Sequence, residues 1–197
     1  MNDFTIRPAT PADVPALEEL IPLSTRELMA GYYTPEQMAA ALSGGERTTE
    51  GGTLPARRTA PVFGVDRHLI DDGTYFVADA AGRVVGCGGW SRRKAVFGGD
   101  RGREGEDAYI DPATEPARVR AFFVHPDWAR RGIGRALLSE CEAAIRAAGF
   151  RDIVMVATLA GVPLYEATGY TVQERYEVPL AEGLVLPVVR MGKTVEG

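Results

Sequence analysis

The sequence predicts an α/β domain built on a mixed β-sheet with a parallel pair at its centre. Three observations lead there. Residues 121–157 read as strand, glycine-rich turn, helix and strand, and a right-handed crossover of that kind joins parallel neighbours. Residues 74–90 read as two strands around an Ala81-Gly82 turn, an antiparallel hairpin. Residues 170–191 hold two further strand-like runs. Strand and helix therefore alternate only in the middle of the chain, which argues for a mixed sheet over a fully parallel one.

The chain opens with Phe4-Thr5-Ile6-Arg7, a short run of alternating character. Thr10-Pro11-Ala12-Asp13 then reads as a helix start. Thr10 can cap, Pro11 suits the first helical position, and Asp13 sits among free N–H groups. Leu17, Leu20 and Ile21 supply the apolar face. Tyr32 and Tyr33 precede a second start, where Thr34 and Gln37 have capping-box spacing and Met38, Ala41 and Leu42 follow. Residues 43–61 contain four glycines, two prolines and Leu54 as the one aliphatic residue larger than alanine. Too little there can be buried, so a flexible loop is expected.

Residues 62–73 end in Asp72-Gly73, a turn signal. The hairpin follows, with Cys87 expected as a core thiol. Residues 91–116 form a second polar connection, opened by Arg92, Arg93 and Lys94, which are expected to be solvated or to reach an anionic ligand. Beyond the central turn, apolar residues at 133, 137, 141, 144, 145 and 148 trace the buried stripe of a helix that Gly149 ends. Residues 152–157 read as a buried strand, and residues 163–170 as a short helix closed by Gly169.

A length of 197 residues with 45% apolar composition suits one domain, residues 1–197, with a sizeable core. No run approaches the ~18 apolar residues of a membrane span. The first residues lack a basic stretch followed by an apolar one, so no signal peptide is expected. Cys87 and Cys141 form no framework, which fits a reducing cytoplasm. His68 and His125 are isolated, so no metal is expected. A net charge of −5 argues against nucleic-acid binding. Yet residues 83–135 hold 11 Lys and Arg against 7 Asp and Glu, a local excess that suits a polyanionic ligand.

That excess surrounds Arg130-Arg131-Gly132-Ile133-Gly134-Arg135-Ala136. Glycines let the backbone approach a ligand closely, and a helix N-terminus presents free N–H groups with partial positive charge. Strand, turn and helix together make an anion cradle. A Walker loop would need Gly-Lys-Ser/Thr, but no Lys lies between Lys94 and Lys193. A Rossmann fingerprint would need Gly at 137, which is Leu.

The stretch resembles the coenzyme A-binding motif of the GCN5-related N-acetyltransferase (GNAT) superfamily. Residues 164–170, Leu-Tyr-Glu-Ala-Thr-Gly-Tyr, are similar to that family's "LYE-x-x-GF" signature. The resemblance implies the GNAT fold: a mixed central sheet of six to seven strands, the parallel pair at its centre and helices on both faces. It implies acetyl-CoA as co-substrate, without a metal, and an amine acceptor, either a small molecule or a peptide. Arg130, Arg131, Gly132, Ile133, Gly134, Arg135 and Ala136 would take the pyrophosphate. The edge of Phe122-Phe123-Val124 would pair with pantetheine, as a peptide strand would. A bulged strand would free the Val124 N–H for the thioester carbonyl. Thr158 stands where relatives often carry a cofactor-contacting Asn. Tyr165 would be the general acid, since a phenol is a competent donor to a leaving thiolate.

In two places the sequence departs from the pattern. Counted from Val124, the first position of Gln/Arg-x-x-Gly-x-Gly/Ala is Ala129, and the pattern is met in a shifted register, Arg131-x-x-Gly134-x-Ala136. Ile153 stands where many relatives carry a basic glutamate, leaving the general base unassigned. Arg118 and Arg120 are expected either to attract a carboxylate-bearing acceptor or to be solvated. Two other functions remain open: an acyl-CoA-binding sensor without turnover, and a nucleotide-binding protein. No membrane partner is expected. C-terminal strand edges suggest a homodimer.

Overall fold

The structure, a computed structural model, describes residues 3–43, 45–47, 57–59, 61–94 and 108–195. Its main strands are β1 (Thr5–Pro8), β2 (Tyr75–Ala80), β3 (Arg83–Ser91), β4 (Ala117–Val124), β5 (Asp152–Thr158), β6 (Thr171–Pro179) and β7 (Val185–Thr194). They form one sheet in the order β1-β2-β3-β4-β5-β7-β6. Every neighbouring pair is antiparallel except β4 and β5. The helices are α1 (Val14–Leu28), α2 (Pro35–Ser43), α3 (Arg67–Asp71), α4 (Ile133–Ala147) and α5 (Val162–Glu166). The mixed sheet, its central parallel pair and helices on both faces agree with expectation.

Each face of the sheet has its own core. On one, α4 lays Ile133, Leu137, Leu138, Cys141 and Ile145 against Val85, Val119, Ile153 and Met155. This is the stripe anticipated from spacing, with Leu138 added and Ala148 exposed at the C-cap, and Gly149 ends the helix at φ +88°. On the other, Leu17, Leu20 and Ile21 of α1 and Met38 and Ala41 of α2 cover Tyr75, Val77, Cys87, Leu186 and Val188. Both helix starts are capped as their spacing suggested. Thr10 donates N–H and O–H to Asp13 at 2.8 and 2.9 Å. Thr34 and Gln37 exchange backbone-to-side-chain bonds of 2.9 and 3.2 Å.

Three findings go beyond the sequence reading. Most of residues 43–61 lies outside the described residues, but Gly45–Arg47 and Arg57–Thr59 pair as an antiparallel ladder. The compositional argument weighed residues for a core, whereas a ladder is closed by backbone groups that nearly every residue carries. Residues 67–71 form α3, capped by Asp66, whose carboxylate accepts from the Leu69 N–H at 3.2 Å. A helix of five residues is too short to show a period. Finally, Arg93 is neither solvated nor aimed at a ligand. Its Nε and Nη2 each donate to Asp72 at 2.6 Å, which anchors the second connection to the end of α3. Lys94 lies 3.8 Å from Glu115, and Arg92 stacks over Tyr109.

Candidate active site

The parallel pair holds for only three residues. Ala117, Arg118 and Val119 face Ile153, Val154 and Met155, and the strands then part. A bulge on the other side of β4 accompanies the parting. Phe123 faces Cys87 and Arg120 faces Gly89, so three steps on β4 match two on β3. Ala121 takes up the extra residue at φ +61°. Its carbonyl accepts from the Tyr75 phenol at 3.3 Å.

Gly88, opposite the bulge, has a packing reason. A Cβ there would sit 2.6 Å from Phe122 Cε2, so the bare backbone makes room for that ring. Past the bulge, His125 N–H donates to the Val85 carbonyl, which makes Val124 and Gly86 a non-hydrogen-bonded pair. The Val124 N–H therefore points away from β3, toward the gap.

That N–H is not free, contrary to expectation. It donates to Ser24 Oγ at 3.2 Å, and Ser24 is buried on α1. The physical reason is the usual one: a strand amide left without a neighbour finds the nearest acceptor.

A cavity of about 300 Å³ lies beside the parted strands. Ala121, Phe122, Phe123, Thr158 and Tyr165 line it, so four of the sequence-derived candidates meet there. Tyr165 packs edge-on against both Phe122 and Tyr170. Burial pushes its phenol above its ordinary value, with a smaller contribution from Cys141, so it stays protonated at neutral pH. Toward α1 and α3 the lining changes to Met29, Phe63, Asp66 and Arg120.

Arg120 Nε lies 2.9 Å from Asp66 Oδ2, with the two side chains 10% and 1% exposed. Arg120 is thus a buried partner and not a solvated strand position. Burial pushes the Asp66 carboxyl up, while Arg120 and the α3 N–H groups pull it back. Arg118, on the same face, is half-buried; burial lowers its pKa, and its Nε has no hydrogen-bond partner among the described residues. Tyr33 is a packing residue: it donates to the Pro187 carbonyl and accepts from the Leu159 N–H, both at 2.8 Å.

The remaining candidates lie together at the start of α4, outside the cavity lining. Arg130 (φ +64°) and Gly132 (φ +85°) both adopt left-handed conformations. Alternation of this kind turns successive N–H groups toward one side. Gly132 is the N-cap, and no side chain of the described residues caps the helix. Its first N–H groups therefore have no side-chain acceptor among the described residues. The turn glycine is therefore Gly132, and Gly134 packs against Leu164 inside the first helical turn. The backbone follows the register counted from Ala129, not the shifted one. Ile133 points its side chain into the core, and Arg131 lies over Trp128 at 5.0 Å.

Ser24 and Asp66 are the residues that sequence reasoning missed. Each left a signal. Ser24 falls three residues after Ile21 on the apolar stripe of α1, where a polar residue asks for a partner. Asp66 stands three residues before Leu69 at N-cap spacing.

No group of three or more His, Cys, Asp or Glu able to hold a metal occurs among the described residues. Among them, too, no helix is long and apolar enough to cross a membrane.

A mixed sheet opened at its central parallel pair, beside an uncapped helix N-terminus, defines the class of protein. The family model of the acetyltransferase (GNAT) domain matches residues 71–172, and the chain belongs to that family. No curated protein matches it. Among solved structures, it is similar to a GCN5-related N-acetyltransferase from Rhodopseudomonas palustris (19% identity, TM-score 0.67, 98% of this chain and 96% of that one). It is also similar to the PaiA N-acetyltransferase from Thermoplasma acidophilum in complex with coenzyme A (15% identity, TM-score 0.62, 97% and 98%). A third is the phosphinothricin acetyltransferase from Sinorhizobium meliloti in complex with acetyl-CoA (23% identity, TM-score 0.59, 99% and 89%). At these identities the likeness is one of fold.

Proposed function

We infer that the chain is an acetyl-CoA-dependent N-acetyltransferase, moving an acetyl group to a primary amine of a small molecule or peptide by direct attack in a ternary complex. The observation that carries this reading is the cavity beside the parted strands. It has Tyr165 and Phe122 from the α4–α5 core at one side and Asp66 and Arg120 at the other. Donor and acceptor can then enter from opposite faces and meet between β4 and β5, which removes the entropic cost of a chance encounter.

The residues fit the co-substrate. The cradle of residues 130–136 offers backbone N–H groups to a pyrophosphate. The β4 edge at residues 122–124 offers pairing to an extended amide chain. Acetyl-CoA supplies an activated thioester. The Val124 N–H donates to its carbonyl oxygen, where negative charge develops. Tyr165 gives its proton to the departing thiolate. Burial keeps the proton on the phenol at neutral pH, so it is in place when the thiolate forms.

A screen of amines, followed by release of free CoA, tests the proposal. Release that needs both acetyl-CoA and an amine is expected. Binding of CoA with no release across the panel would instead identify a sensor module.

A further inference from the structure

A buried polar side chain beside the β4 edge has no role in the transfer just described. Ser24 is 2% exposed, on the face of α1 turned to the sheet. Its Oγ lies 3.2 Å from the Val124 nitrogen, the same N–H that would meet the thioester carbonyl. A carbonyl oxygen taking that N–H has to come within hydrogen-bond reach of the hydroxyl, because both oxygens address one hydrogen. A serine hydroxyl is donor and acceptor alike, and rotation about a single bond exchanges the roles.

We propose that Ser24 is a second oxyanion donor, its O–H joining the Val124 N–H on the carbonyl oxygen of the acyl group. The hydroxyl accepts from Val124 in the arrangement observed here. When the carbonyl takes that N–H, the hydroxyl turns and donates to the same oxygen. As the amine nitrogen bonds to the carbonyl carbon, the π electron pair moves onto that oxygen, which then holds two hydrogen bonds. Its return expels the thiolate, which takes the Tyr165 proton, and the surplus proton of the amine nitrogen passes through solvent and restores the phenol. Ser24 keeps its own proton throughout and forms no covalent bond. The role also gives a reason for a polar residue on the apolar stripe of α1.

The inference rests on the proposed acetyl transfer, and the test separates the two. In the full chain, Ser24→Ala is compared with wild type for turnover with acetyl-CoA and for equilibrium binding of CoA, which has no acyl carbonyl. The expected result is a fall in kcat of about 10²-fold, the scale on which removal of one such donor acts, with CoA affinity unchanged. A serine that merely holds the β4 edge in place would instead weaken CoA binding along with turnover, because that edge pairs with pantetheine. Unchanged kcat, or parallel losses of kcat and CoA affinity, overturns the assignment. Ala is a better helix former than Ser, so the variant is expected to fold. If wild type releases no CoA with any amine, the transfer reading itself fails. If wild type is active and Ser24→Ala equals it, only the role of Ser24 fails.

Discussion

Phe122 and Tyr165 meet edge to face, with ring centroids 6.2 Å apart. One sits on the bulged strand and the other on a short helix 43 residues further along the chain. The contact joins the edge that would hold the thioester to the phenol that would protonate its thiol. The ring and the hydroxyl of Tyr165 can therefore be separated by mutation. Tyr165→Phe keeps the edge-on packing and loses the proton. Turnover is expected to fall well over about tenfold, with acetyl-CoA affinity little changed. Steady-state kinetics with matched binding measurements decide it, and full turnover in the variant would remove Tyr165 from the chemistry.

Gly88 tests the opposite side of Phe122. A methyl group there would overlap the ring at 2.6 to 2.7 Å, so Gly88→Ala has to push Phe122 toward the gap. Overpacking of this kind costs about 1–3 kcal/mol. Denaturant unfolding should register that loss, and CoA affinity should fall with it because the displaced ring enters the cavity. A variant as stable as wild type would mean that the ring has somewhere else to go.

Backbone and side chains of the anion cradle make different predictions. Gly132 holds φ +85° with nothing within 4 Å of a would-be Cβ, so Gly132→Ala suffers only the left-handed penalty, about 1–2 kcal/mol. Relief of that penalty rotates the N–H groups away from one another. Gly132→Ala is therefore expected to weaken CoA binding more than Arg131→Ala does. Titration calorimetry at two salt concentrations ranks them. The reverse order would make side-chain charge the main source of affinity.

Acid sensitivity is expected at the other end of the fold. The Arg7 guanidinium donates to both Asp13 oxygens at 2.9 and 2.8 Å, and Thr10 adds two more bonds. Together they hold the Asp13 carboxyl down to about 2. The folded value lies below the unfolded one, so this stabilisation is present above pH ~4 and is lost as pH falls through about 2. Side-chain exposure of Arg7, 37%, screens part of it, leaving on the order of 1–2 kcal/mol. Asp13→Asn should lower stability by that much at neutral pH and flatten the decline between pH ~4 and ~2. Urea melts across that range give the slopes; equal slopes in both proteins would assign the acid limb to other carboxylates.

The sequence was legible where structure is local. The α4 stripe, the glycine-rich turn before it, the end at Gly149 and the Thr34–Gln37 capping box depend on neighbours within a few residues. Tyr165 was legible only through resemblance to a family signature, since nothing near it in the chain points to β4. The partners of Val124 and Arg120 lie about 100 and 54 residues away, on α1 and at the start of α3. One sequence without an alignment holds no record of such pairs. Its local signals could mark Ser24 and Asp66 as polar residues in need of partners, but not say which. The bulge of β4 and its parting from β5 were likewise legible only through that resemblance, because identical β-branched residues serve paired and unpaired strands.

A strand that ends its pairing early is ordinarily a hazard, since any foreign chain can add to it and start an aggregate. Here the exposed backbone is interior. Past Val119, β4 keeps β3 on one side and faces β5 across an opening that widens from a seam of three residues. Of the two border strands, β1 and β6, the longer, β6, bears Glu174, Arg175, Glu177 and Pro179, which discourage foreign pairing. The protein thus keeps the unpaired part of β4 between two of its own strands rather than at the sheet's border.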